Sequence, residues 1–216
     1  KPENAEMGYL SRLSYSEFCE ILGGGANLFF LRERWKILRG IAKVLTEQYG
    51  GDSRKFIAGA EKRLSNLIPK IAGELPSFDD TAVYSGKKIY LWKRTQILPM
   101  DIYGAFQGKE FGEFSDLDYA TAFADYKLPQ ILRHFGILGY SGDLEERIKN
   151  KKLIPAGSKP EIEIRAATIW AVERLAEELR KLGKKIFPFQ VDWILWNQSQ
   201  EIIMPLPYHL TKTIFY

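Results

Sequence analysis

The sequence predicts an all-α (mostly α) fold, a single compact helical domain with room for two lobes. Three observations point there. Apolar residues recur at helical spacing along almost every long segment. Capping residues, glycine and proline stand where such helices would begin and end. A hydrophobic content of 45% over 216 residues is enough for a substantial core in one large domain or two small packed ones.

Ser14 and Glu17 form an S-x-x-E capping box ahead of a helix over 15–22, and Gly23-Gly24-Gly25 stops it. Leu31, Trp35, Leu38, Ala42 and Leu45 mark one face of a longer helix ended by Gly50-Gly51. Asp52 or Ser53 caps the next, with apolar positions at Phe56, Ala60, Leu64, Leu67, Ile68 and Ile71, and Pro69 is expected to kink or divide it. Residues 76–80 form a turn-rich joint. Ile89, Trp92, Gln96 and Ile97 then predict a helix through Leu98, and Pro99 starts another segment through Phe106; the alternation Ile89, Leu91 is the weaker sign of a short strand. Residues 107–115 read as glycine-rich loop, with Asp116 or Asp118 capping a helix that runs toward Asp125. Pro129 suits the first position of a short helix through His134. A turn over 136–142 leads to a helix over 143–149, a helix–tight turn–helix arrangement. From Pro160, Ile162, Ile169, Val172, Leu175, Leu179 and Leu182 trace the clearest helix, stopped by Gly183. Pro188 opens the last helix, with Asp192 and Trp196 four residues apart on one face. Pro205 and Pro207 force an extended C-terminal segment.

Composition narrows the chemistry. A single cysteine, Cys19, permits no internal disulfide, and with only His134 and His209 beside it no cluster has zinc-ligand spacing; no cofactor is expected, and a metal held by carboxylates alone stays open with no local motif to propose it. No apolar run approaches the ~18 residues that would cross a bilayer. The chain opens on Lys1, which points to removal of at least one residue ahead of it, and its start lacks the tripartite form of a secretory signal. The expectation is a soluble, cytoplasmic protein. The net charge of +4 is compatible with an anionic ligand, but the densest basic run, 149–152, reads as a solvated helix end rather than a duplex-binding stripe. Gly23-Gly24-Gly25 lacks the Lys-Ser/Thr ending of a phosphate loop, and no G-x-S-x-G turn supports a serine nucleophile.

The informative residues are charged side chains set among large apolar ones, where desolvation is costly unless the charge is paired, hydrated or functional. Asp125 lies in Phe123-Ala124-Asp125-Tyr126-Lys127-Leu128-Pro129-Gln130. Lys93 and Arg94 follow Trp92 and read either as snorkelling side chains or as a phosphate clamp beside a carboxylate, with Lys127 a further cation for the same anion. Arg165, among Ile162, Ile164, Ala166 and Ile169, needs an anionic partner if buried, with Glu161 or another helix's carboxylate available. Asp192, between Val191 and Trp193, is either a helix-dipole carboxylate or one that accepts paired N–H donors or a cation beside an indole.

Together these stretches resemble the queuosine salvage family. The likeness rests on Tyr84-x-Gly86, on Lys93-Arg94-Thr95-Gln96-Ile97-Leu98, on the segment around Asp125, and on Gly139-Tyr140-Ser141. It continues through Glu161-Ile162-Glu163-Ile164-Arg165-Ala166, Asp192-Trp193-Ile194-Leu195-Trp196 and the ending Ile214-Phe215-Tyr216. It covers residues 76–216 in order; residues 1–75 match only in helical character around Asn27-Leu28-Phe29-Phe30. The resemblance implies a fold related to helix-hairpin-helix DNA glycosylases and metal-free hydrolysis of queuosine 5′-phosphate that frees queuine for tRNA modification. It implies Asp125 as the catalytic carboxylate, Lys93 on the phosphate and Asp192 on the base. Phe123, Tyr126, Lys127, Arg165, Trp193 and Trp196 complete the expected substrate-binding set. Lys127 departs from the family's frequent Arg, which weakens bidentate anion binding there, and Asn197 replaces a frequent Asp and is assigned no role. The partners expected are the small-molecule substrate and its product, with no stable nucleic-acid binding and no membrane. Two rivals stand beside this reading. A DNA-repair glycosylase is disfavoured because the loop over 136–142 holds no Lys or Arg. A non-enzymatic binder of the modified nucleoside would use Asp192 and the aromatics alone.

Overall fold

A computed structural model describes residues 6–23 and 28–216; the stop expected at Gly24 and Gly25, and Asn27, lie outside the described residues. The chain is mostly helical, with ten α-helices and one two-stranded sheet among the described residues. It divides into two compact units, one running to Asp79 and including Ile102–Ser115, the other Asp80–Asp101 with Asp116–Tyr216.

In the first unit, α1 (Met7–Leu10) precedes α2 (Tyr15–Ile21), which carries the expected capping box: the Glu17 N–H donates to Ser14 Oγ at 3.2 Å and the Ser14 N–H to Glu17 at 2.9 Å. Helix α3 (Leu31–Tyr49) ends on Gly50 in the left-handed conformation, and its Trp35 indole donates to the Leu13 carbonyl at 2.8 Å over a core of Leu13, Phe18 and Leu31. Asp52 caps α4 (Ser53–Ala58) through the Arg54 N–H. The chain then breaks before α5 (Leu64–Glu74), and here the expectation needs correcting: the division falls at 59–63, where Glu61 and Lys62 both adopt positive φ, and not at Pro69, which sits inside α5. Leu64, Leu67, Ile68 and Ile71 are buried along one face of α5. Each such side chain contributes roughly 1.5–3 kcal/mol, and together they outweigh the helical hydrogen bond a proline removes.

The second unit opens on a β-hairpin rather than a helix. β1 (Thr81–Tyr84) pairs antiparallel with β2 (Lys87–Tyr90) in the register Thr81↔Tyr90 and Tyr84↔Lys87. Ser85 and Gly86 link them with φ of +49° and +78°, the two left-handed residues of a type I′ turn. The alternation at Ile89 and Leu91 was the correct signal, and the helix expected there starts only at Lys93. Helix α6 (Lys93–Ala105) then runs unbroken through a buried Pro99. The helix expected ahead of Asp125 is also absent: after a single 3₁₀ turn at Leu117–Tyr119, residues 120–125 form no helix. Helix α7 (Lys127–His134) places Pro129 third rather than first.

Residues 135–141 lead to α8 (Gly142–Lys149), followed by α9 (Lys159–Lys181), after which Gly183 turns with φ of +81°, and α10 (Pro188–Glu201). Ala122, Leu128, Ile131, Leu132, Val172, Ala176, Val191 and Leu195 form the core where α7, α9 and α10 meet. The residues after α10 form no helix, and the Ile154 N–H donates to the Leu210 carbonyl at 2.8 Å.

Candidate active site

Residues 120–125 raise an accounting problem. Ala120, Ala122, Phe123, Ala124 and Asp125 are all buried, yet no helix or sheet supplies their main-chain partners, and a buried polar group without one is costly. Polar side chains from three other elements fill that need. Gln96 of α6 accepts the Thr121 N–H at 2.9 Å, Asp192 of α10 accepts the Phe123 N–H at 2.6 Å, and Arg165 of α9 donates Nε–H to the Ala124 carbonyl at 3.0 Å. The small side chains at 120, 122 and 124 let the segment thread between the helices.

The segment delivers Asp125 to the start of α7. One carboxylate oxygen, Oδ1, accepts the N–H groups of Lys127 at 2.7 Å and Leu128 at 3.1 Å, satisfying two donors left open at a helix start and fixing the side-chain direction. Asp125 is 6% exposed, and it lines a cavity of about 360 Å³ with Lys93, Ile97, Asp101, Phe123, Asp192, Trp193, Trp196 and Asn197. Six residues singled out in the sequence therefore converge: Asp125, Lys93, Asp192, Phe123, Trp193 and Trp196.

Three others do not line this cavity. Tyr126 packs its ring 4.7 Å from Tyr208, with burial and then the neighbouring Asp125 raising the pKa of its phenol. Lys127 holds its ammonium 5.8 Å above the same Tyr208 ring. Arg165, 2% exposed, binds the Asp80 carboxylate and lies 3.5 Å from Glu161. Conversely, Ile97, Asp101 and Asn197 line the cavity without having been singled out as site residues. The periodicity held the signal for the first two: Lys93, Ile97 and Asp101 are four residues apart along one face of α6. Asn197 lies one turn after Trp193 on α10.

Electrostatics set the two buried carboxylates apart. Burial pushes Asp192, 3% exposed, up to about 7, with the Asp125 charge adding to the effect while the Phe123 N–H and Lys93 oppose it. Burial also lowers the pKa of the Lys93 ammonium, against the pull of Asp125 and Asp192. Asp101, at the exposed rim, is raised by partial burial and lowered by Lys93. The cavity thus offers a cation and two main-chain-anchored carboxylates, one with its pKa raised to about 7, beside aromatic surfaces. Among the described residues, no three His, Cys, Asp or Glu side chains are grouped to hold a metal ion, and no helix is long and apolar enough to cross a membrane.

Comparison with known proteins gives a family. The family model described as "Queuosine salvage protein" matches residues 3–216. A Sphaerobacter thermophilus protein named queuosine 5′-phosphate N-glycosylase/hydrolase is 43% identical over 212 residues, covering 98% of this chain and 66% of the relative. Proteins of the same name from Dictyostelium discoideum and Schizosaccharomyces pombe are 38% and 36% identical over 89% and 79% of this chain, and over 60% and 49% of their own lengths. The chain spans about half to two thirds of the length of these curated relatives.

Proposed function

This chain belongs to the queuosine salvage family, and from that membership we propose that it hydrolyses the N-glycosidic bond of queuosine 5′-phosphate to release queuine. The observation that carries the reading is the convergence of Lys93, Asp125 and Asp192, from three distant stretches of sequence, on one cavity walled by Phe123, Trp193 and Trp196. In the same reading, residues 1–216 act as one salvage domain related to helix-hairpin-helix glycosylases, cytoplasmic, with no nucleic acid as a stable partner.

The bond to be broken joins C1′ of ribose to N9 of a 7-deazaguanine. With carbon in place of N7, protonating that position to improve the leaving group is not available. Catalysis then relies on stabilising positive charge that develops on the sugar, for which a fixed carboxylate is suited. Asp125 is that carboxylate: its orientation is set before substrate arrives by the Lys127 and Leu128 N–H groups. It faces the oxocarbenium-like sugar and takes a proton from the attacking water. A C1′–O bond forms, the C1′–N9 bond breaks, the base leaves with its electron pair and takes a proton from solvent at N9, and Asp125 returns to solvent the proton it took from water.

Lys93 holds the 5′-phosphate through a charge-assisted contact. Asp192 faces the polar edge of the base, and the aromatic side chains stack on its plane. Contacts to phosphate and base place C1′ against Asp125, so that binding energy far from the scissile bond serves the chemical step. Tyr126 and Lys127 follow Asp125 at the start of α7, and Arg165 acts through the Ala124 carbonyl rather than on substrate.

Mass-spectrometric assay of purified protein with queuosine 5′-phosphate tests the reading. Queuine and ribose 5-phosphate are expected in equal amounts. Nucleotide that binds and is recovered intact would make the protein a binder instead.

A further inference from the structure

Asp80 has no part in the chemistry above, yet four polar contacts converge on it. It is 2% exposed, just ahead of β1. Its carbonyl accepts the N–H groups of Leu91 and Trp92, both at 3.0 Å, and its Oδ2 accepts the Lys93 N–H at 3.1 Å. Trp92 adopts φ of +44°, a left-handed conformation that is unfavourable for a bulky aromatic and persists only where its surroundings over-determine it. The same Asp80 carboxylate takes a two-pronged contact from the Arg165 guanidinium, Nη1 to Oδ1 at 2.9 Å and Nη2 to Oδ2. The remaining guanidinium nitrogen, Nε, donates to the Ala124 carbonyl at 3.0 Å.

A continuous path therefore runs from the main chain of Lys93, through Asp80 and Arg165, to the main chain of the residue before Asp125. A second brace steadies its middle. Glu161 lies 3.5 Å from Arg165 Nη1 and accepts the Tyr216 hydroxyl at 2.5 Å, while the Tyr216 ring lies 5.1 Å from the guanidinium.

We propose that Asp80 and Arg165 are positioning residues, a strut that fixes the separation of the phosphate-holding Lys93 from Asp125; the inference rests on the function proposed above. Stability alone is a poor reason for such a pair, because a buried ion pair is often no more stabilising than apolar residues of the same volume. What this pair does that apolar residues could not is hold two main-chain positions of an irregular site at once.

The test compares wild type, Asp80→Asn and Arg165→Lys on queuosine 5′-phosphate and on the nucleoside. Asp80→Asn loosens both ends of the strut. It is expected to lower kcat about 10- to 100-fold, the scale set by misplacing reacting groups, and to shrink the preference in kcat/KM for the nucleotide. Arg165→Lys leaves the Lys93 N–H on Asp80, so kcat falls while the preference stays. Should Asp80→Asn fail to fold, Tyr216→Phe relaxes only the brace and is expected to lower kcat about 3-fold with the preference unchanged. Variants with wild-type kcat and wild-type preference, differing only in melting temperature, would overturn the strut. A wild-type protein that releases queuine from neither substrate would instead remove the proposed function.

Discussion

Helix α9 and residues 120–125 meet in one unit and satisfy their backbones in opposite ways. α9 closes its hydrogen bonds within itself, so its exposed charges, such as Lys181 beside Glu177 and Glu178, only decorate a surface already complete. Residues 120–125 close almost nothing locally and rely on Gln96, Asp192 and Arg165 from three helices. The same residue types thus carry different weight: on the exposed face of α9 a charge is a solvated ornament, whereas Arg165 on its buried face is part of the scaffold around 120–125. An irregular segment held this way can present a carboxylate at an angle no regular helix would allow, and its shape then depends on distant side chains.

The widest break in that contrast comes at Asp125. Asp125→Asn keeps an oxygen for the Lys127 and Leu128 N–H groups but removes the charge proposed to face the sugar, so kcat should fall at least about 10³-fold while nucleotide affinity stays near wild type, as read by calorimetry. Lys93→Ala comes next. Loss of a charge-assisted contact should reduce kcat/KM for the 5′-phosphate by about 10- to 100-fold and leave the free nucleoside little affected; equal losses on both would remove Lys93 from the phosphate.

Asp192 sharpens the comparison through pH. Its folded pKa of about 7 lies above the ordinary 3.8, so the folded protein keeps this proton longer than the unfolded chain does. The group's contribution is complete below pH 4 and is lost as pH rises to 7, on the order of 4 kcal/mol at most. Denaturant titrations of wild type and Asp192→Asn should therefore diverge across that window, the wild type losing stability relative to the variant as pH rises. Parallel curves would contradict a raised pKa for the buried Asp192. The smallest effect belongs to the exposed face of α9, where Lys181→Ala should leave both the denaturation midpoint and kcat unchanged, since exposed ion pairs contribute little.

The same contrast explains what was legible in the sequence. α9 declared itself through Ile162, Ile169, Val172 and Leu175 and the Gly183 stop, because burial on one face of a regular helix leaves a period. The helix expected from Ile89 through Leu98 takes in the end of the hairpin over 81–90, because the Ile89 and Leu91 alternation is only two residues long, though Ser85-Gly86 supplies the turn chemistry. Residues 120–125 left no period at all. Their conformation is determined by side chains between 25 and 69 positions away in sequence, which no local pattern encodes. Burial of polar residues among apolar ones did reveal Asp125 and Asp192 as candidates. It could not separate Arg165, bound to Asp80 and Ala124, from residues that line the cavity, nor find Asp101, which stands at an exposed rim.

A crystal structure of Asp125→Asn with queuosine 5′-phosphate bound tests the arrangement most directly. The phosphate is expected within hydrogen-bond reach of Lys93 Nζ, C1′ against residue 125, and the base between Asp192 and the Trp193–Trp196 wall. Nucleotide bound outside this cavity, or turned so that its base meets Lys93, would contradict the account.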